Sequence, residues 1–277
     1  VSGLFSGGVW ILGKWESGIF NSNSKPSYWL DGEFLSGDFE NGVWYDGKFG
    51  NTRNLLSRFG TKSTNSRTTV WNGGEWLNGQ FHSQLNTGAD GQPAVSDIHK
   101  YSVWKTGNWY GGDFWGGVAY NINFFGGVWH GGILEEIQVI GVDSITPSAT
   151  SNNAIQLNGI FRFNVGDQIW IIDDDRNTVY SPIGSNDSPG SYRINRVVLD
   201  QSSDTTKIYL NYNLSTLGVD PTYAGMTVSD VETGLRVVSY FRDSVWESGI
   251  WTNGIFETGD FRSGIWYNGI FGGNWGA

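Results

Sequence analysis

Few residues of this chain could do chemistry. Histidine occurs three times, at His82, His99 and His130, and cysteine not at all, which removes disulfides, thiolate metal ligands and cysteine nucleophiles. His82 and His99 share one stretch with Asp97. A metal site would draw on such a set, but the spacing matches no zinc motif, and solvated loop histidines are the expected reading. Asp173, Asp174 and Asp175, with Asp187 as a further partner, offer oxygen ligands for calcium. Consecutive aspartates point in different directions and no Asp-x-Asp-x-Asp-Gly loop occurs, so a hairpin turn is expected there. Sugar hydrolysis requires two convergent carboxylates, and nothing in the sequence singles out a pair. There is no Gly-x-Ser-x-Gly elbow, phosphate-binding glycine loop or dinucleotide fingerprint. The chain therefore reads as a non-enzyme with no catalytic, metal or cofactor-binding residues.

The elements that would have to position any site are dictated by a repeat. In the last thirty or so residues, Trp246, Trp251, Phe256, Phe261, Trp266 and Phe271 follow one another at intervals of five. The same frame holds Phe5, Trp10, Trp15 and Phe20, then Trp29, Phe34, Phe39, Trp44 and Phe49. It returns at Trp71, Trp76 and Phe81, and again at Trp104, Trp109, Phe114, Phe124 and Trp129, with Ala119 and Leu134 in aromatic slots. These are 23 of the 31 Trp and Phe residues, and glycine stands two places before 18 of them. Ser27, Thr69, Ser102 and Ser244 take the glycine place in four of the other five, and Ile122 in the last.

A period of five suits neither a helix nor a long strand, since residues five apart fall on different faces of both. Asp31-Gly32, Asn41-Gly42, Asn78-Gly79, Asn253-Gly254 and Asn268-Gly269 are turn formers, because glycine accepts positive φ without steric cost. Each pentad is thus a short extended piece followed by a corner. Successive corners wind the chain about an axis, and coils stack at the strand spacing of about 4.8 Å. The rings point inward beside a residue with no side chain. Burying one ring is worth roughly 4–6 kcal/mol, while ordering five residues costs about 7 kcal/mol. A single pentad cannot stand alone, so stacking between coils must supply the stability.

The unit resembles that of the pentapeptide-repeat family: a small residue, a polar residue, a central Leu or Phe, and two more. The resemblance covers about 115–130 residues in five blocks, with Gly in place of the family's Ala and Trp or Phe in place of its Leu. It implies an all-β, right-handed, four-sided solenoid of about 20 residues per coil. An internal count agrees with four faces. Val-Trp restarts occur at Trp10, Trp71, Trp104 and Trp246, separated by eight, three and seven pentads. Letting the interruptions that end at Ser102 and Ser244 each stand for one face makes every interval a multiple of four.

Residues 21–28, 50–70 and 82–103 leave the frame and read as loops off a solenoid that spans 1–134 and resumes at 245–277. Residues 135–244 differ in texture. Ile155–Phe163, Gln168–Ile172, Tyr192–Leu199, Lys207–Leu214 and Arg236–Tyr240 read as β-branched strands, and the segment as an inserted small antiparallel barrel or sandwich. The off-frame Trp115, Trp170 and the tyrosines are the expected surface contacts.

The insert carries 14 acidic and 7 basic residues and the rest 13 and 10, nets of −7 and −3. The repeat region is nearly neutral and has no basic stripe for nucleic acid. No stretch of about 18 apolar residues offers a membrane helix. The sequence opens on Val1-Ser2-Gly3-Leu4-Phe5 with the repeat already running, and reads as a processed chain or a piece of a longer one.

Trp- and Gly-rich arrays of the type Val-Trp-x-x-Gly-x-Phe-x-x-Gly look like segments of large virion structural proteins of tailed bacteriophages. That resemblance implies a tail, baseplate or fibre component located in the virion. Its partners would be other virion subunits, copies of itself through uncapped solenoid ends, and a host glycan on the insert. A bacterial surface adhesin or extracellular filament subunit, partnered by other filament subunits, fits the same composition. A DNA-mimicking pentapeptide-repeat inhibitor and a β-helical glycan depolymerase are the lesser alternatives.

Overall fold

The computed structural model describes residues 1–23, 25–51, 56–62, 68–82, 102–142, 154–173, 178–180, 191–210, 234–272 and 274–275. The chain is all-β. Three parallel sheets, of ten, nine and nine strands among the described residues, form the walls of a solenoid, and a separate antiparallel sheet forms the insert.

Each pentad supplies one two- to five-residue strand, and the register advances by fifteen residues per coil. Ser2 lies beside Ser17, Ile250 beside Ile265, and Ile255 beside Ile270. The solenoid is therefore three-sided, and the four-sided coil of about 20 residues is corrected. The residue that differs from the family's pattern explains why. A triangle turns more sharply at its corners than a square, and the glycine of each pentad makes that turn at positive φ, as at Gly32 (φ 125°). A β-carbon on Gly32 would lie 2.1 Å from the carbonyl oxygen of Gly13 one coil below, so alanine is excluded by contact as well as by conformation. The preceding Asp or Asn braces the corner: Asp46 Oδ1 accepts from Gly47 N at 2.7 Å and Asn78 Oδ1 from Gly79 N at 2.8 Å.

Rings stack face to face between coils and meet edge to face along the spiral. Trp29 and Trp44 are 4.8 Å apart and 5° from parallel, while Trp44 and Phe49 are 5.7 Å apart at 81°. The stacked spacing is the strand spacing, so hydrogen-bond ladder and ring column share one repeat. Two backbone bonds per pentad tie each coil to the one below, such as Glu33 N to Gly13 O and Leu35 N to Trp15 O. Where Ala119 replaces a ring, the same coil carries Ile122 in place of glycine, and both are fully buried in the solenoid core. Apolar volume is conserved within that coil.

Phe59 and Phe241 are also core rings. Phe59 stacks between Phe39 and Phe81, and Phe241 between Phe124 and Phe256. The excursion drawn at 50–70 thus contains the solenoid strand Ser57–Phe59, and the insert drawn as 135–244 contains the solenoid strand Tyr240–Phe241. With Phe59 restored, nine pentads separate Trp10 from Trp71, three full triangular turns. The excursions leave at the corners: 22–26, 60–68 and 82–101 between the first and second sheets, 50–56 between the third and first, and the insert between the second and third.

The insert is a closed barrel. Ile137–Val142, Ala154–Asn158, Thr205–Leu210, Tyr192–Asp200, Gln168–Asp173 and Leu235–Val238 are hydrogen-bonded in that order, and the last pairs back to the first, antiparallel throughout. Thr178–Tyr180 adds an edge strand to Gln168–Asp173. Ile137–Val142 was not expected as a strand, and the expected strand Ile155–Phe163 ends at Asn158, where Gly159 (φ 100°) turns the chain. Alternate residues fill the barrel, including Val139, Leu157, Ile169, Ile171, Ile208 and Val237. The opposite face of Gln168–Asp173 is buried too: Trp170 and Ile172 join Val238, Tyr240 and Ile255 in a cluster that seals the barrel to the solenoid.

Candidate functional site

The barrel folds back over the first coils of the solenoid through its loop at 159–167. Thr206 holds the loop's start, accepting from Phe161 N at 2.8 Å and donating to Gly159 O at 2.9 Å. Its end is a β-turn in which Asp167 N donates to Asn164 O at 3.1 Å and Asn164 N donates to Asp167 Oδ2 at 2.7 Å. Two solenoid residues receive the loop. Lys105 Nζ donates to Ile160 O at 2.9 Å, and Gly73 lies so close that a β-carbon on it would sit 2.7 Å from Arg162 O. Burial lowers the Lys105 pKa, an effect that nearby Asp204 opposes.

On either side of this loop lies a cleft, of about 730 Å³ and 660 Å³. The first is apolar and aromatic, walled by Val9, Tyr28, Leu30 and Tyr45 on the solenoid and by Phe163, Val197 and Leu199 on the barrel. The second is polar, with Asp31, Glu33, Glu75 and Asp167 beside Lys14 and Lys48. Asp46 and Asn164 line both, so the two make one trough across the junction. Asn164 touches both carboxylates: its Nδ2 is 3.4 Å from Asp46 Oδ1 and its backbone N bonds Asp167. Burial, reinforced by the neighbouring acids Asp46 and Glu75, pushes Asp167 up to about 6. Burial also raises Asp46, with Asp31 and Glu75 adding to the effect. Volumes of this order are those of small-ligand sites.

A second polar feature runs up the corner after the first sheet. His130 Nδ1 lies 2.7 Å from Glu247 Oε2 and its Nε2 3.0 Å from Asp113 Oδ1, and the ring stacks on Trp115 at 3.7 Å. His82 lies parallel to the other face of Trp115 at 6.5 Å. This column clips the coil before the insert to the coil after it. Burial, then the Arg58 charge, drives His82 down to about 4. Trp115 therefore packs, half-buried, within a coil-to-coil column, whereas Trp170 is buried against Tyr240 at 4.1 Å and 1° and so is not the surface contact expected. No three His, Cys, Asp or Glu side chains come together as metal ligands among the described residues. His99, Asp97, Asp174, Asp175, Asp187 and the strand end Leu214 lie outside the described residues. Asp173 sits in a barrel strand, paired with Thr178 and Leu235.

Of the core residues expected from the repeat, Trp15, Phe20, Trp29, Phe34, Phe39, Trp44, Phe49, Trp71, Trp76, Phe81, Trp104, Trp109, Phe114, Phe124, Trp129, Trp246, Trp251, Phe256 and Phe261 are buried in one cluster. Trp10, Trp266, Phe271 and Phe5 lie in the terminal coils and pack on it half-buried. A signal existed for the two rings missed. Strands that re-enter after an excursion open with a buried Ser or Thr in the glycine place: Ser27, Ser57, Thr69, Ser102 and Ser239. A chain arriving from a loop makes no tight corner, so a β-carbon fits, and the hydroxyl bonds a neighbouring coil, as Ser57 Oγ does to Leu35 O at 2.9 Å. The trough had no such signal, because its walls are distant in sequence, Asp46 and Asn164 standing 118 residues apart.

No helix among the described residues is long and apolar enough to cross a membrane. Comparison with family models, with curated proteins and with solved structures gives no match.

Proposed function

We propose that this chain is a non-enzymatic structural component of a tailed-phage particle, in a tail, baseplate or fibre, with the solenoid as a stiff spacer and the barrel as its contact domain. One observation carries the reading. The barrel leaves one corner and returns without breaking any of the three ladders. Across it Val128 still pairs with Val245, Ile133 with Ile250, and Asn123 with Tyr240. An element added at a corner of an intact rod is an addition for contact, since nothing in the rod's own bonding needs it. Nine coils at about 4.8 Å each make a spacer of roughly 40 Å. Contact with other subunits belongs to the same proposal. The strands Ser2–Ser6 and Gly8–Trp10 are paired on one side only among the described residues, an edge that further coils of a longer chain would cover as well as another subunit would. Quantitative mass spectrometry of purified particles tests the assignment. A stoichiometric copy number is expected, and absence from intact particles rules it out.

A further inference from the structure

The trough between barrel and solenoid holds hydrogen-bonding groups that the protein itself leaves unused. Arg162 lies over the Tyr45 ring at 4.8 Å, and its guanidinium makes no hydrogen bond among the described residues. Asp46 spends one oxygen on Gly47 N and Asn164, and its Oδ2 has no partner there; the same holds for Asn164 Oδ1. Beside these groups, Tyr28 and Tyr45 stand on successive coils, their rings 6.4 Å apart and 31° from parallel. We propose that the trough binds a neutral oligosaccharide, whose sugar rings pack against Tyr28 and the Arg162-capped Tyr45 and whose hydroxyls are bonded by Arg162, Asp46 and Asn164.

Three features select this ligand class. Sugar rings present an apolar face and a rim of hydroxyls that both donate and accept, which is what an aromatic wall bordered by unused donors and acceptors requires. An added peptide strand needs an open sheet edge, but here the wall's backbone groups are already bonded within the ladders, as Tyr45 N is to Trp29 O and Lys48 N to Gly32 O. Anionic polymers are disfavoured by charge. Lys14 pairs with Glu33 at 3.5 Å and Lys48 with Glu75 at 3.3 Å, which leaves Asp31, Asp46 and Asp167 against Arg162 as the one unpaired cation among the described lining residues.

The inference deepens the reading of the barrel as a contact domain and fails separately from it. Affinity electrophoresis of the full chain through gels holding a β-glucan, a galactomannan or dextran, with polygalacturonate as the anionic control, tests it. At least one neutral polymer should retard the chain. Tyr45→Ala and Asn164→Ala should each weaken that retardation about tenfold, which corresponds to about 1.4 kcal/mol. Thermal melts establish that each variant is folded, and Tyr28→Ala replaces Tyr45→Ala if the latter is not. Failure of all three neutral polymers, stronger retardation by polygalacturonate, or folded variants that bind like the parent would each overturn the proposal. A chain that binds sugar but is missing from particles keeps this inference and removes the virion assignment.

Discussion

The solenoid and the barrel solve the same problem, an apolar core inside β-sheet, by opposite means. In the solenoid the inward positions are large rings, Ala119 and Leu134 excepted, and the space for them comes mainly from glycine. In the barrel the inward positions are Ile, Leu and Val at every second residue, and space comes from ordinary strand alternation. The solenoid's contacts are with the next coil, whereas the barrel closes only when its last strand finds its first. A repeat array tolerates insertion at a corner but not a change of register, since each coil is held by the one below. A closed barrel tolerates neither, but its individual side chains are more replaceable.

The sharpest way to break this comparison is to remove the barrel at two different boundaries. Deleting residues 137–238 places Phe241 five residues after Leu134 and keeps the frame. That variant should stay folded by circular dichroism and keep the parent's oligomeric state by size exclusion. Deleting 135–244 removes Phe241 and joins Leu134 to Val245 out of frame, and should cost the coils above it altogether. Equal behaviour of the two deletions would show that register does not govern the rod.

Single substitutions should follow the same division. Trp104→Ala empties a fully buried place between Trp71 and Ala119 and should cost about 3–5 kcal/mol in denaturant unfolding, against about 2–5 kcal/mol for Ile171→Ala in the barrel. Glycine separates the regions more cleanly. At Gly112 (φ 100°) an added β-carbon would lie 2.2 Å from Gly79 O, whereas at Gly141 it meets nothing closer than 3.6 Å. Gly112→Ala should cost more than about 3 kcal/mol and Gly141→Ala less than about 1 kcal/mol.

Titration sharpens the comparison with smaller effects of opposite sign. Asp167, at the junction, has a pKa of about 6 against an ordinary 3.8, so the folded state favours its protonated form. Its stabilising contribution is present below about pH 4 and is lost as pH rises through 6. Asp167→Asn should therefore raise the melting temperature at pH 7.5, by no more than about 3 kcal/mol of stability, and change little at pH 4. His82, on the solenoid, has a pKa of about 4 against 6.5, so the folded state favours the neutral ring. Its contribution is present above pH 6.5 and is lost as pH falls towards 4. His82→Gln should flatten the acid side of the melting profile in that window.

What could be read from the amino acids follows from which interactions are local. The five-residue period, the inward rings beside glycines, and the change of texture at the insert are properties of neighbouring residues. Trp10, Trp15 and Phe20 display them without reference to any other coil. Phe59 escaped because it stands alone between two excursions, and a pentad without neighbours in the frame looks like loop; Phe241 stands five residues before Trp246, in the frame, but with Ser239 in the glycine place it reads as the last strand of the insert. The number of sides was not legible in the period. Five residues make a face in a triangle or a square, and the corner angle decides between them; that angle rests on the close approach of Gly32 to Gly13 in successive coils, which leaves no room for a β-carbon. Closure of the barrel was likewise invisible, since it rests on Ile137–Val142 meeting Leu235–Val238 almost a hundred residues later. The trough lies at the same level. Tyr45 and Asp46 occupy an ordinary corner of the repeat, and Arg162 and Asn164 an ordinary turn of the barrel. The sequence alone determined what each segment would build, because backbone geometry and side-chain volume act over a few residues. Tertiary structure decided how many faces the coil has, where the barrel closes and which side chains meet at the junction, because those depend on contacts that span coils and domains.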